Sequence, residues 1–275
     1  LLQQLIMTDN EQQKLSDLKE YFKELGNAAI AFSGGIDSTF LAKVCHDVLG
    51  KKMIAITLVA NSFPPSERRE AEAFCVKENI AHLEIKYDEL LISGFRENSV
   101  DRCYHCKKAL FTMIKSEAAK KGFSNVCEGS NIDDQCVYRP GLKAIKEIDI
   151  KSPLAVVGLN KLEIRNISKH LGIQTWDKPS MACLATRFPY GEEITKEKLI
   201  RVGKAEQLLF ELGFRQVRVR SQNNLARIEL LPQDFEKFMQ IKIREQVNKN
   251  LKEFGFDFVT LDIQGFRSGS FDRKL

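Results

Sequence analysis

The sequence of 275 residues lacks long apolar runs, and none approaches the ~20 residues that a membrane-spanning helix needs. Its first thirty residues also lack the pattern of a signal peptide, so we expect a cytoplasmic protein with no membrane partner. Internal repeats and low-complexity segments are missing as well. The hydrophobic content of 43% and the charged content of 29% are typical of a globular protein with a buried core.

A concentrated basic stripe is also missing. The 42 Lys and Arg residues exceed the 37 Asp and Glu residues by five, and this surplus is spread along the chain. Proteins dedicated to nucleic-acid binding usually carry a clear basic stripe. The charge pattern therefore argues against a nucleic-acid partner, although it does not exclude RNA.

The seven cysteines are an odd number, which together with the missing export signal predicts a reducing compartment without structural disulfides. Cys45 and Cys75 lie within amphipathic helical patterns, which predicts small buried side chains. The remaining five lie near loops or predicted strand ends, where chemistry is a candidate role: Cys103, Cys106, Cys127, Cys136 and Cys183.

Strand and helix periodicities alternate over the first two-thirds of the chain. Short apolar runs predict strands at 28–32, 53–59 and 82–86 and a fourth strand that ends at Val126. Helical patterns separate them, which predicts a parallel sheet covered on both faces. These helices are expected at 11–25, 37–49, 66–79, 104–121 and 161–171.

An irregular stretch containing Pro179 and Pro189 follows, and the domain boundary is expected within it. After it the pattern predicts a small α+β domain with an antiparallel strand pair, its elements at 195–212, 215–220, 226–230, 233–254 and 258–263. We therefore predict an α/β sheet domain at 7–175 and a small α+β domain at 190–275. The basic run at 267–274 predicts a solvated or disordered tail.

The segment from Ser33 to Ser38 reads Ser-Gly-Gly-Ile-Asp-Ser, between a predicted strand and a predicted helix. Gly34 and Gly35 let backbone N–H groups approach an anion, and the helix N-terminus favours negative charge. Asp37 would repel a bare phosphate, so it predicts a Mg²⁺ ion shared with the phosphates. No lysine follows the glycines, so this is not a Walker loop. A plain strand-to-helix turn remains the alternative.

The segment from Ser33 to Ser38 resembles the PP-loop of the N-type ATP pyrophosphatases. This resemblance implies a PP-loop fold that cleaves ATP between its α and β phosphates, with the loop holding the departing pyrophosphate. It also implies that the second strand ends near the adenine, which would place Leu58 against the base.

Three further strings narrow the resemblance to the LarE family of ATP-dependent sulfur transferases, over nearly the whole chain. They are Glu128 to Asp134 with Arg139 to Gly141, Met181 to Gly191 around Cys183, and Cys103 to Phe111. The family adenylates carboxylates of pyridinium-3,5-biscarboxylic acid mononucleotide and replaces oxygen with sulfur, in nickel-pincer nucleotide biosynthesis. Members are often homo-oligomers. The resemblance implies ATP, Mg²⁺ and that mononucleotide as ligands, with Gly129 in the ATP site.

Some members of this family give up the sulfur of their own cysteine, and others carry three cysteines on a [4Fe-4S] cluster that accepts sulfide from a sulfide source. Cys183 matches the sulfur-bearing position, and Cys103 and Cys106 match the additional pair of the cluster type. By the same resemblance Arg187 lies behind Cys183, and Glu206 and Arg218 contact the substrate phosphate and metal. Arg220 and Glu229 lie close enough in sequence that they could match these two family positions instead.

Other functions remain open at this point. Cys103 and Cys106 could form half of a zinc site completed by Cys127 and Cys136, although no second tight cysteine pair exists. A PP-loop tRNA thiolase would combine the same loop with cysteines but would need a basic groove. An ammonia-using ligase such as NAD synthetase would leave the cysteines unexplained. A nucleotide-sensing zinc protein without turnover is the alternative outside enzymes.

Overall fold

The structure, a computed structural model, describes residues 7–135, 140–179, 182–267 and 271. Cys136, a candidate zinc ligand, and Arg139 and Met181, which belong to the strings above, lie outside the described residues. The strands are β1 (Ala28–Ala31), β2 (Met53–Val59), β3 (His82–Lys86), β4 (Val126–Cys127), β5 (Val217–Gln222), β6 (Leu225–Leu230) and β7 (Phe258–Leu261). The α-helices are α1 (Asp9–Leu25), α2 (Ile36–Leu49), α3 (Pro65–Lys77), α4 (Arg102–Lys120), α5 (Ile132–Gln135), α6 (Pro140–Glu147), α7 (Pro153–Val156), α8 (Lys161–His170), α9 (Lys196–Glu211), α10 (Phe235–Met239) and α11 (Ile241–Glu253).

The first four strands form the predicted parallel sheet, in the order β3-β2-β1-β4. Successive residues of a strand face opposite sides, and the core divides accordingly. Ala28 and Ile30 of β1 pack in the cluster that contains residues of α1, α2 and α8, and Ala29 packs in the cluster that contains residues of α4 and α6. The sheet is thus buried on both faces, which confirms the α/β fold class.

The last three strands form a second sheet, in the order β5-β6-β7. β5 and β6 make the predicted antiparallel pair, and β7 pairs with β6 in parallel. The helix predicted at 233–254 is divided into α10 and α11, because Gln240 adopts an extended backbone between them. The helices α5, α6 and α7 were not predicted from sequence, because they span only four, eight and four residues, and a periodic pattern is read over longer windows.

The chain divides into two compact units. Of the described residues, the first unit contains 7–60, 65–87 and 103–179, and the second contains 61–64, 88–102, 182–267 and 271. The expected division at 7–175 and 190–275 stays a prediction. Within the part of the chain that the structure describes, no helix has both the length and the apolar character to cross a membrane.

Two early segments belong to the second unit because they hydrogen-bond to the strand-free stretch that follows residue 182. The buried side chain of Asn98 donates to the carbonyl oxygen of Pro189 at 2.6 Å, and Arg102 donates to that of Ala185 at 3.0 Å. The amide of Leu184 donates to the carbonyl oxygen of Ser62 at 3.2 Å. These contacts join residues more than eighty positions apart, so no local pattern predicts them.

Candidate functional site

The predicted phosphate loop lies between β1 and α2, at the carboxyl end of the parallel sheet, where open α/β sheets bind ligands. Ser38 organises it: its hydroxyl donates to the carbonyl oxygen of Gly35 at 3.1 Å and accepts from the amide of Ser33 at 3.2 Å. The hydroxyl groups of Ser33 and Ser38 are 3.0 Å apart. The two serines therefore shape the loop itself.

Two glycines of the predicted ATP site lie where an added Cβ would press on neighbouring atoms. Gly34 has a φ of +70°, and a Cβ there would lie 3.1 Å from that of Ala71 and 3.2 Å from the carbonyl oxygen of Glu67. Gly129, after β4, would place a Cβ 3.0 Å from the amide nitrogen of Ser38. The loop after β4 thus lies directly against the first turn of α2.

Asp37, in the first turn of α2, has a cationic partner that the sequence did not reveal. Its carboxylate forms an ion pair with Lys161 at the start of α8, and Asn131 donates to it at 3.4 Å. Asn160 caps α8 and Glu163 completes the capping box, which fixes the position from which Lys161 extends. Lys161 therefore supplies a cation at the loop, although no lysine follows the glycines in sequence.

A second lysine reaches the same loop. The ammonium group of Lys178 donates to the carbonyl oxygen of Gly34 at 3.2 Å and pairs with Glu67 at 2.8 Å and Glu70 at 2.6 Å. Burial raises the pKa of Glu67, and Lys178 opposes this rise. The sequence analysis missed both lysines, because they lie more than 120 residues from the loop. The one sequence signal near Lys161 is Asn160, a residue type that commonly begins a helix.

Leu58, predicted to contact adenine, lies near the carboxyl end of β2. It is partly buried and packs against the apolar cluster that contains Phe111 and Ile114 of α4. Ala31, the last residue of β1, pairs with Ile56 of β2. Leu58 therefore lies two residues beyond the point where β1 ends. This position is at the ligand-binding edge of the sheet, and its role toward adenine stays a prediction.

Cys103 and Cys106 lie in the first turns of α4, three residues apart, so they share one face of the helix. Both are partly buried, whereas Cys45, Cys75 and Cys127 are buried. Burial raises the pKa of the Cys75 thiol and of the Cys127 thiol to about 12. Cys127 is thus a buried thiol, and Cys136 lies outside the described residues.

Cys183 is exposed, and the loop around it is held by its neighbours. The hydroxyl of Thr186 donates to the carbonyl oxygen of Cys183 at 2.8 Å. A guanidinium nitrogen of Arg187, Nη1, donates to that hydroxyl at 2.6 Å and approaches the carbonyl oxygen of Cys183 at 3.4 Å. The backbone at Cys183 is therefore fixed while its side chain remains accessible.

Arg187 and Glu206 form a buried ion pair within the second unit. Nε of Arg187 donates to Oε1 of Glu206 at 2.7 Å, and Nη2 donates to Oε2 at 2.9 Å. Glu206 also accepts from the amide of Val219 at 2.9 Å, which ties α9 to β5. Both predicted catalytic residues are therefore brought together, behind the Cys183 loop.

Arg218 and Arg220 lie on β5 beside this pair. Burial, with the like charges of Arg187 and Arg220, lowers the pKa of Arg218 to about 10. Arg220 donates to Glu229 at 3.1 Å and to the carbonyl oxygen of Thr186 at 2.9 Å. Glu206 and Arg218 are the predicted substrate-contacting pair, and Glu229 and Arg220 are the alternative pair. All four thus belong to one buried group of charged side chains.

The resemblance implies two metal groups, a magnesium ion and an iron–sulfur cluster. Among the residues that the structure describes, no three His, Cys, Asp or Glu side chains come together as ligands for a metal ion. The carboxylate of Asp37 is engaged by Lys161 in this arrangement. The magnesium ion at Asp37 and the iron–sulfur cluster on Cys103, Cys106 and Cys183 stay predictions.

Known proteins resemble this chain over nearly its full length. A protein of Synechocystis sp. is 47% identical over 262 residues, covering 95% of this chain and 98% of its own. The pyridinium-3,5-bisthiocarboxylic acid mononucleotide synthase of Lactiplantibacillus plantarum is 35% identical over 264 residues, which is 95% of each chain. The chain belongs to the LarE family.

A third relative, from Methanocaldococcus jannaschii, is 33% identical over 253 residues, covering 92% of this chain and 95% of its own. The family model for NAD synthase matches residues 12–120, the part of the chain that contains the phosphate loop. LarE-family membership and this PP-loop match together support an ATP-using enzyme.

Proposed function

We propose that this protein is an ATP-dependent sulfur transferase that adenylates carboxylates of pyridinium-3,5-biscarboxylic acid mononucleotide and replaces oxygen with sulfur, in nickel-pincer nucleotide biosynthesis. The observation that carries the proposal is the 35% identity to the Lactiplantibacillus synthase over 95% of both chains. The accessible thiol of Cys183 on a fixed backbone supports it, because a sulfur donor must be both exposed and oriented.

In the first half-reaction a substrate carboxylate oxygen attacks the α-phosphorus of ATP. A bond forms between that oxygen and the phosphorus, and pyrophosphate departs with the electron pair of the α–β bridging bond. The amides of the loop from Ser33 to Ser38 and the ammonium group of Lys161 would stabilise the departing charge. Lys161 would exchange Asp37 for phosphate, which frees the Asp37 carboxylate for a magnesium ion.

In the second half-reaction the thiolate of Cys183 attacks the acyl carbon, and AMP departs with the electron pair of the acyl–oxygen bond. The carbon–sulfur bond to Cβ then breaks as the Cα proton is lost, which leaves dehydroalanine and a thiocarboxylate. Arg218 would orient the substrate phosphate, and Glu206 would keep Arg187 in the position from which it holds the Cys183 loop.

The alternative sulfur source is sulfide bound at an iron–sulfur cluster held by Cys103, Cys106 and Cys183. A bound cluster would supply sulfide, and Cys183 would survive turnover. Anaerobically purified protein should then be brown and contain iron and acid-labile sulfide, and Cys103→Ala or Cys106→Ala should lose the colour. Stoichiometric zinc without iron under those conditions would overturn this source.

The proposal is tested with Cys183→Ser. A hydroxyl cannot deliver sulfur but is close to the thiol in size, so the variant should release AMP and pyrophosphate without forming a thiocarboxylate. Cys75→Ser, at a buried thiol, is the control that should keep both half-reactions. Mass spectrometry of the wild-type protein after turnover separates the two sources, since loss of one H₂S from Cys183 means a sacrificed sulfur. Normal thiolated product from Cys183→Ser would remove Cys183 from the chemistry.

The match of residues 12–120 to the NAD synthase model favours a second candidate, an amide-forming ligase that transfers ammonia to the acyl-adenylate. This candidate predicts release of AMP and pyrophosphate with an amide product. Incubation with ATP, substrate and ammonium, followed by mass spectrometry of the product, separates amide from thiocarboxylate.

A further inference from the structure

The segment that follows β7 packs its aromatic rings on the arginines of the second sheet. The ring of Phe266 lies 5.1 Å from Cζ of Arg218. The ring of Phe271 lies 5.4 Å from Cζ of Arg220 and 5.3 Å from Cζ of Arg227. These distances fit cation–π contacts, for which a guanidinium lies within about 6 Å of a ring centre. The basic run was expected to be solvated, yet its described residues contact this cluster.

A turn after β7 fixes the start of this segment. Gly265 has a φ of +74°, and a Cβ there would lie 2.7 Å from the carbonyl oxygen of Leu230. The next amide, of Phe266, donates to that same oxygen at 2.7 Å. Asp262 pairs with Arg267 at 2.7 Å. The start of the segment is therefore bonded by its backbone to β6 and by charge to Asp262, the residue after β7.

Arg220 connects this segment to the loop of Cys183. Its side chain is 4% exposed, and Nη2 donates to the carbonyl oxygen of Arg267 at 3.3 Å. Its Nη1 donates to the carbonyl oxygen of Thr186 at 2.9 Å. Thr186 in turn donates through its hydroxyl to the carbonyl oxygen of Cys183. One guanidinium thus lies between the C-terminal segment and the backbone at Cys183.

We propose that Phe266, Arg267 and Phe271 are positioning residues for Cys183, acting through Arg220 and Thr186. The proposal rests on the proposed function, in which Cys183 takes part in sulfur delivery. The ring of Phe271 limits the orientations of the Arg220 guanidinium, and that guanidinium sets the position of Thr186 and hence of Cys183. ATP cleavage, which depends on the phosphate loop, does not require this connection.

The test is Phe271→Ala compared with Phe271→Tyr, which keeps the ring, and Phe258→Ala. Phe258 lies on β7 with 66% of its surface exposed. Phe258→Ala therefore removes a side chain of the same type from the second sheet without removing a contact of Arg220. The first measurement is thiocarboxylate formed per pyrophosphate released. The second is the rate at which iodoacetamide labels Cys183, followed by mass spectrometry of its peptide.

Phe271→Ala should lower thiocarboxylate per pyrophosphate by about tenfold or more, since small displacements of a reacting group lower rates by such factors. It should also change the labelling rate at Cys183, while Phe271→Tyr and Phe258→Ala behave as wild type. Equal losses in both half-reactions, or wild-type labelling in Phe271→Ala, would overturn the proposal. Absence of thiocarboxylate from the wild-type protein would instead refute the proposed function, and the labelling comparison would still decide the positioning role.

Discussion

The guanidinium group of Arg187 and the carboxylate of Glu206 meet in two parallel hydrogen bonds of 2.7 and 2.9 Å, with 0% and 2% of the two side chains exposed. This pair ties the stretch after Cys183 to α9. Because both charges are removed from water, each is stable only in the presence of the other.

Removing one member of this pair should destabilise the protein strongly. Arg187→Ala leaves the Glu206 carboxylate buried without its cation, and we expect the free energy of unfolding to fall by about 3–5 kcal/mol. Urea unfolding measures this change. Lys249→Ala, which removes one member of an exposed pair with Glu253, should change the free energy by less than about 1 kcal/mol. Similar small losses in both variants would contradict a buried pair.

Gly34→Ala should abolish pyrophosphate release while the protein remains folded. The added Cβ would press on Ala71 and on the carbonyl oxygen of Glu67, so the loop amides shift away from the phosphates. Gly172→Ala is the matched control, since its φ is also +70° but a Cβ there meets nothing within 4 Å. Both variants should lose about 1–2 kcal/mol of stability, and only Gly34→Ala should lose turnover of ATP. Full ATP turnover in Gly34→Ala would remove this loop from phosphate binding.

Lys161→Ala should raise the KM for ATP by about 10- to 100-fold, which corresponds to the loss of one charge-assisted hydrogen bond. Lys169→Ala, on the same helix but over the ring of Trp176, should leave the KM unchanged. Pyrophosphate release at several ATP concentrations measures both, and an unchanged KM in Lys161→Ala would refute the phosphate role of this lysine.

Stability should fall as the pH drops below about 6.5, the ordinary pKa of histidine. Burial lowers the pKa of His82, whose Nε2 lies 2.8 Å from the hydroxyl of Thr57. Below the ordinary pKa the unfolded chain binds a proton that the folded protein does not, so protonation favours unfolding. His82→Gln should flatten this slope in denaturation between pH 5 and 7. Phe258→Ala, which removes an exposed side chain without a titratable group, should leave the slope as it is.

Alkylation of the native protein should distinguish two groups of cysteines. Cys75 and Cys127 are buried with pKa values raised to about 12, so we expect no labelling by iodoacetamide at pH 8 before unfolding. Cys183 is exposed and should react first. Peptide mass spectrometry after timed labelling measures the order. Early labelling of Cys127 would show that the β4 core opens readily.

The phosphate loop and its sheet could be predicted because their signals are local. The apolar run at 28–32 forms β1 over Ala28–Ala31, and the Ser-Gly-Gly-Ile-Asp-Ser string gives a loop that the side chains of Ser33 and Ser38 close themselves. Glycine tolerance of positive φ and strand alternation act within a few residues. The sequence alone therefore determined the α/β class, the loop at β1 and the motif around Cys183.

Tertiary structure decided which distant side chains meet those motifs. Lys161 reaches Asp37 across 124 positions, and Arg187 pairs with Glu206 rather than with a neighbour on its own loop. Residues 61–64 and 88–102 join the second unit, and Phe271 lies on Arg220. Such contacts depend on how helices and strands pack, and each charged residue has many partners that the sequence alone would allow. Burial then makes one pairing stable, because a charge removed from water needs a counter-charge at hydrogen-bonding distance.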